Sequence, residues 1–133
     1  MRVSPPHFVF LSLLCLVTAG CYSARQKAEK TLKTIDPEKI RKEAGVFNKD
    51  LFASGEPISR GLKPSEYPPT FRAFAPLQVN AYRDGFSLKL EQSGGMEAGI
   101  YIVPAQMDVE PQSRGRAHFE RIADGIYWYS FRE

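Results

Sequence analysis

Hydrophobic residues recur with a helical period in the first half of the chain and with an alternating period in the second half. Ala24, Ala28, Leu32 and Ile35 are spaced at i, i+4, i+8 and i+11, which predicts one amphipathic helix with a narrow apolar stripe. Ser23 precedes it and provides the side-chain oxygen that an N-cap requires.

A second helix is predicted directly after the first. Asp36 is a favourable N-cap, and Pro37 is a favourable first helical residue. Pro37 also ends the preceding helix, because its ring clashes with the carbonyl four residues earlier. Ile40, Ala44 and Phe47 form the apolar face of this second helix.

Residues 53–76 are rich in proline and turn residues. Phe71 and Phe74 lie between Pro69 and Pro76, where the spacing of three predicts either one short helical turn or an extended crossing. A segment of this composition is typical of a loop pinned to the core by its aromatic residues.

Strict alternation follows the proline-rich segment and predicts strands. Two alternating runs flank Asp84-Gly85, which is the strongest short-range signal for a β-hairpin. Further strands are predicted at 99–103 and 126–131, while 117–123 fits a short helix or a strand. Helices that precede strands indicate an α+β fold, with one or two N-terminal helices followed by an antiparallel sheet of four or five strands.

The last predicted strand is apolar on both sides. Ile126 and Trp128 point to one side and a set of aromatic residues to the other. The candidate interaction surface consists of Tyr101, Tyr127, Tyr129 and Phe131. The competing interpretation, which we favour from the sequence, is that residues 53–76 fold over these rings and bury them.

The N-terminus has the layout of a secretory signal. Arg2 precedes the apolar run Phe8–Val17, and three small residues follow it. The 13 residues from Phe8 to Gly20 are too few for a membrane-spanning helix, which needs about 20.

The end of this signal, Val17-Thr18-Ala19-Gly20-Cys21, resembles the lipobox of bacterial lipoproteins. The resemblance implies that residues 1–20 are removed and that Cys21 is acylated. It also implies a location in the cell envelope, with the outer membrane facing the periplasm favoured because aspartate does not follow Cys21. The alternative is ordinary signal-peptidase cleavage, which leaves Cys21 unmodified.

Cysteine content and charge narrow the possible functions. Cys15 and Cys21 are the two cysteines, so removal of residues 1–20 leaves one thiol and no intrachain disulfide. The remaining 113 residues of the 133 carry 17 Lys+Arg against 15 Asp+Glu, since Arg2 is the signal's one charge. This balance does not indicate a nucleic-acid partner. The predicted organisation is a lipid-anchored helical stalk at 21–52 and a small domain at 53–133.

No motif indicates catalysis, a cofactor or a metal. His118 and Glu120 are the nearest approach to an acid–base pair, and no second ligand lies at a metal-binding spacing from His118. The sequence therefore predicts a non-enzymatic, lipid-anchored envelope protein that either binds another envelope protein or has a structural role. The alternatives are an inhibitor or immunity-type lipoprotein that blocks a toxin or hydrolase, and a small envelope enzyme.

Overall fold

The computed structural model describes residues 23–53, 55 and 59–133. The predicted signal and the predicted acylation site, Cys21, lie outside these residues.

Two helices lead the described chain, and their ends follow local sequence signals. Helix α1 spans Ala24–Leu32 and begins with a capping box in which Ser23 and Gln26 satisfy each other's backbone amides. Helix α2 spans Pro37–Leu51 and is capped by Asp36.

Six antiparallel strands form one sheet in the order β1-β2-β3-β4-β6-β5. The strands are β1 (Ser59–Gly61), β2 (Gln78–Tyr82), β3 (Gly85–Ser93), β4 (Met96–Ile102), β5 (Ala117–Ala123) and β6 (Ile126–Arg132). Between β1 and β2 lie a 3₁₀ turn at Pro64–Glu66 and the short helix α3 at Pro69–Arg72.

The α+β fold and the antiparallel sheet are confirmed, but two details of the prediction are wrong. The sheet has six strands, because the exposed strand β1 lacks the apolar alternation by which the other strands were predicted. Helix α3 lies after β1, so the helices are not all N-terminal. The segment 117–123 is a strand rather than a helix, since it pairs with β6.

The hydrophobic core lies between the helices and one face of the sheet. Phe86 on β3 is completely buried, and its ring centroid lies 5.1 Å from that of Phe71 and 5.9 Å from that of Phe47. The sheet contributes the buried side chains of Val79, Ala81, Leu88, Ile100, Ile102 and Ile126. Ile40 and Ala44 of α2 complete this core and are themselves fully buried.

The sequence predicted a helical stalk at 21–52 and a separate domain at 53–133. In the structure, the described helices instead pack against the sheet. Ala28, Ile40 and Ala44 belong to the same buried cluster as the strands. The side-chain amide of Asn48 on α2 also donates a hydrogen bond to the backbone carbonyl of Tyr82 on β2, at 2.8 Å. Helices and sheet therefore form one folding unit in the described residues.

The described residues 59–76 pack on the helical side of the sheet rather than over the aromatic face of the last strand, which corrects the interpretation favoured from the sequence. Leu62, Tyr67, Phe71 and Phe74 are buried in the core cluster on the helical side. Helix α3 is held there by Glu43 of α2, which accepts hydrogen bonds from Thr70. The opposite face of the sheet therefore remains available for a different role.

Candidate binding groove on the open sheet face

Aromatic side chains from four strands meet on the face of the sheet that the helices leave open. Centroid distances join Tyr82 to Tyr101 at 6.4 Å, Tyr101 to Phe119 at 5.6 Å and Phe119 to Tyr129 at 6.4 Å. The middle pair is close to perpendicular, at 80°, and all three distances fall in the range in which aromatic pairs attract each other. We call Tyr82, Tyr101, Phe119 and Tyr129 the aromatic row.

Small residues on β3 allow this row to form. Tyr82 and Tyr101 lie on strands that flank β3, where Gly85 and Ser87 are their partners in the ladder. A Cβ atom at Gly85 would lie 2.7 Å from the Tyr101 ring. Glycine is required at this position because the ring occupies the space of any larger side chain.

Two of the three tyrosine hydroxyl groups of the row are hydrogen-bonded to carboxylates. Tyr101 donates to Asp84 at 2.9 Å, and Tyr129 donates to Glu97 at 2.8 Å. Glu97 also forms an ion pair with Lys89 at 3.6 Å. Burial, reinforced by these carboxylates, raises the pKa of Tyr101 and Tyr129 well above the usual tyrosine range. Both phenols therefore remain neutral hydrogen-bond donors at any physiological pH.

This geometry predicts late ionisation of two phenols in an alkaline titration. Of the six tyrosines, Tyr101 and Tyr129 should stay protonated above pH ~10 until the protein unfolds, and burial also raises the pKa of Tyr127. Because their pKa values are raised in the folded state, only the unfolded chain releases these protons, so stability should fall as the pH rises through this range.

Absorbance at 295 nm and far-ultraviolet circular dichroism, recorded on the same samples, measure ionisation and unfolding together. A Tyr129→Phe variant should show one fewer late phenol. Complete ionisation of all tyrosines while the dichroism remains native would contradict the assignment.

The loop between β4 and β5 lies beside the aromatic row. Together they line a groove of about 820 Å³. The residues that the loop contributes are Val109, Glu110, Pro111, Gln112 and Arg114. Phe131 extends the apolar lining from β6. Val109 is 56% exposed and Phe131 is 42% exposed, so the groove presents apolar surface to a partner.

Arg41 of α2 holds the start of this loop in place. Its guanidinium group donates to the carbonyls of Val103 at 2.9 Å and of Pro104 and Met107 at 3.3 Å. The Arg41 carbonyl in turn accepts from the amide of Ala105 at 3.1 Å. The loop is thereby connected to the helical layer through both the side chain and the backbone carbonyl of Arg41.

The outer backbone edge of β5 is partly occupied by the same loop. The hydroxyl of Ser113 accepts from the amide of Phe119 at 2.9 Å, and Arg114 exchanges backbone hydrogen bonds with Ala117. These contacts cover the part of this edge next to the groove, as is common for protected edge strands. A partner is therefore expected to contact the open face rather than this part of the edge.

The structure brings three of the four predicted aromatic residues to the groove. Tyr101, Tyr129 and Phe131 line it. Tyr127 is only 6% exposed and lines a smaller neighbouring cavity of about 210 Å³, which Glu110 also lines.

Sequence reasoning missed Phe119, Asp84 and Glu97. Phe119 would have been found if 117–123 had been assigned as a strand, because alternation and pairing with Tyr129 place it on the open face. No local sequence pattern predicts a role for Asp84 and Glu97, since each accepts a hydrogen bond from a tyrosine that is distant in sequence.

His118 and Glu120 do not form an acid–base pair in the structure. The imidazole of His118 is exposed, with the Ser113 hydroxyl 3.5 Å away. Glu120 instead accepts a hydrogen bond from Arg25 at 2.7 Å, which lowers the pKa of its carboxyl. Each side chain is thus engaged elsewhere.

Metal-binding and membrane-spanning elements were sought in the part of the chain that the structure describes. Within it, no group of three or more histidine, cysteine, aspartate and glutamate side chains is arranged to hold a metal ion. No helix there has the length and apolar character needed to cross a membrane.

Comparison with known proteins does not assign the chain to a family. No family model matches the sequence, and neither a curated protein nor a solved structure matches it significantly.

Proposed function

We propose that this chain is a lipid-anchored protein of the bacterial envelope that binds another envelope protein through the groove on its open sheet face. The observation that carries the interaction role is the groove itself, with its aromatic row and the exposed apolar side chains of Val109 and Phe131. Exposed aromatic and apolar residues around a concave site are typical of protein-binding surfaces. The lipobox carries the proposed anchoring.

In the sequence, the proposed anchor comes directly before the helical layer. Cys21 lies two residues before Ser23, which caps α1. Helix α1 packs through Ala28 on the helical face of the sheet, whereas the aromatic row lies on the other face. The first described helix after the proposed anchor and the groove are therefore on opposite faces of the sheet.

An inhibitor or immunity-type role is the second candidate. It shares the same contact surface, and the rigid loop wall held by Arg41 supports it, because pre-organised loops bind with a lower entropic cost. An enzymatic role has less support, since His118 and Glu120 are engaged separately.

Photo-crosslinking from the intact envelope tests the proposed contact. A photoreactive phenylalanine analogue at Phe131 should give a discrete adduct with one envelope protein. The same analogue at Val46, which is 65% exposed on α2, is the matched control and should give none. Substitution Val109→Ser should reduce the Phe131 adduct at least fivefold without unfolding the domain, because the Val109 side chain is largely solvated.

Equal adducts from Phe131 and Val46, or none from Phe131, would exclude the groove as the contact surface. Tyr127 and Tyr129 are unsuitable for this experiment. Both rings are 6% exposed, so truncating them would disturb the fold as well as the surface.

A further inference from the structure

Carboxylates outnumber cations among the described residues that line the groove. Asp84, Glu97 and Glu110 are the acidic members, and Arg114 is the basic one. Lys89 offsets Glu97 through the ion pair at 3.6 Å. The helical layer has the opposite balance, since residues 24–51 contain eight lysines and arginines against five acidic residues. With Lys89 and Arg114 both counted against the three carboxylates, the groove keeps a net charge of −1, whereas the helical layer carries +3.

The hydrogen-bonding groups of the groove are mainly acceptors. The hydroxyl groups of Tyr101 and Tyr129 already donate their hydrogens to Asp84 and Glu97, respectively. Their oxygen lone pairs, and the remaining lone pairs of the carboxylates, can still accept hydrogen bonds. Lysine and arginine side chains donate without accepting, so they complement such a set.

The aromatic row adds a second attraction for a cation. The faces of tyrosine and phenylalanine rings attract ammonium and guanidinium groups that lie within about 6 Å of the centroid. Tyr82, Tyr101 and Phe119 are half-buried and line the groove, so parts of their rings are accessible to such a group.

The size and apolar rim indicate a polypeptide rather than a small ion. About 820 Å³ is near the upper end of the range for ligand sites, which is about 300–1,000 Å³. A single lysine side chain would leave most of this volume unfilled. Val109 and Phe131 supply exposed apolar contacts beside the carboxylates, which suit apolar residues next to a basic one.

We infer that the groove binds a basic segment of a partner protein, with a lysine or arginine side chain lying over the aromatic row between Asp84 and Glu110. This inference rests on the proposed function and specifies the chemistry of its partner. The apolar neighbours of that basic residue contact Val109 and Phe131.

Binding of designed peptides to the lipidated protein in nonionic detergent micelles tests the inference. The probes are three fluorescein-labelled pentapeptides with blocked ends, Lys-Leu-Lys-Leu-Lys and its counterparts with glutamine or glutamate in place of lysine. Fluorescence anisotropy should show that the lysine peptide binds at least tenfold more tightly than the glutamine peptide. The glutamate peptide should not bind measurably, and 0.5 M salt should weaken the lysine peptide's binding.

A pair of charge-matched variants locates the binding. Asp84→Asn with Glu110→Gln removes two negative charges from the groove and should weaken lysine-peptide binding about tenfold. Glu38→Gln with Asp50→Asn removes two charges from the exposed surface of α2 and should change binding less than twofold. Equal weakening by both pairs would overturn the inference, because it would show attraction to net charge alone.

Other outcomes identify a different occupant and also overturn the inference. Equal affinity for the lysine and glutamine peptides would indicate a neutral partner segment. Self-association in sedimentation velocity that the groove variant abolishes would indicate a second copy of this chain, docked through its basic helices. Failure of all three peptides alongside a Phe131 adduct would reject the basic segment and retain the proposed function. Loss of the Phe131 adduct itself would reject the proposed function.

Discussion

Replacing Cys21 with serine is expected to abolish incorporation of radiolabelled palmitate into the protein. The reason is that the proposed lipid anchor uses the Cys21 thiol as the acceptor of the lipid, and the hydroxyl of serine does not replace that nucleophile. Cys15→Ser provides a matched control, because it makes the same change inside the predicted signal. Labelling should be lost in the first variant and unchanged in the second.

The anchor should also decide where the protein is found. Two acyl chains hold a protein firmly to a membrane, since each buried methylene contributes about 0.8 kcal/mol and one chain alone anchors only marginally. A chain beginning at Tyr22 behind an unrelated cleavable signal should therefore appear in the soluble periplasmic fraction. Undiminished labelling of the Cys21→Ser variant would reject the lipid anchor and favour ordinary cleavage of the signal.

Replacing Phe86 with alanine is expected to lower the free energy of unfolding by about 3–5 kcal/mol. Its ring is completely buried between Phe47 and Phe71, so helices from two parts of the chain depend on it. The loss is large compared with the total stability of a small domain, about 5–15 kcal/mol.

Urea denaturation monitored by circular dichroism measures this change. Phe131→Ala is the matched control, because its ring is 42% exposed, and it should cost less than about 1 kcal/mol. Similar losses in both variants would contradict the assignment of the core to the helical face and of the groove to the other face.

Much of the fold is encoded in short-range signals. The capping box at Ser23, the N-cap at Asp36 and the first-turn proline Pro37 determine helix ends through hydrogen bonds and sterics within a few residues. The antiparallel hairpin at Asp84 likewise follows from alternation and turn chemistry. These features could be predicted because each depends on neighbours in sequence.

Two features had no such signal. The exposed strand β1 is held by pairing with β2, at residues distant in sequence, so its three residues carry no apolar pattern of their own. Gly99 looked like an ordinary member of a strand, yet a Cβ atom there would collide with the Leu88 carbonyl oxygen on β3. A close approach between two strands is visible only after they have paired.

Local sequence patterns were enough to predict the signal ending at Cys21, the capped helices and the two apolar faces of the last strand. Which of these two faces is buried depends on how distant segments pack together. Both faces of β6 are apolar, so its pattern permits a core on either side. The apolar surface that Ile40 and Ala44 present on α2 is covered by Leu62, Phe71 and Phe74. On the other face, the hydroxyl groups of Tyr101 and Tyr129 donate instead to Asp84 and Glu97. The groove therefore arises from long-range packing, which local sequence patterns do not encode.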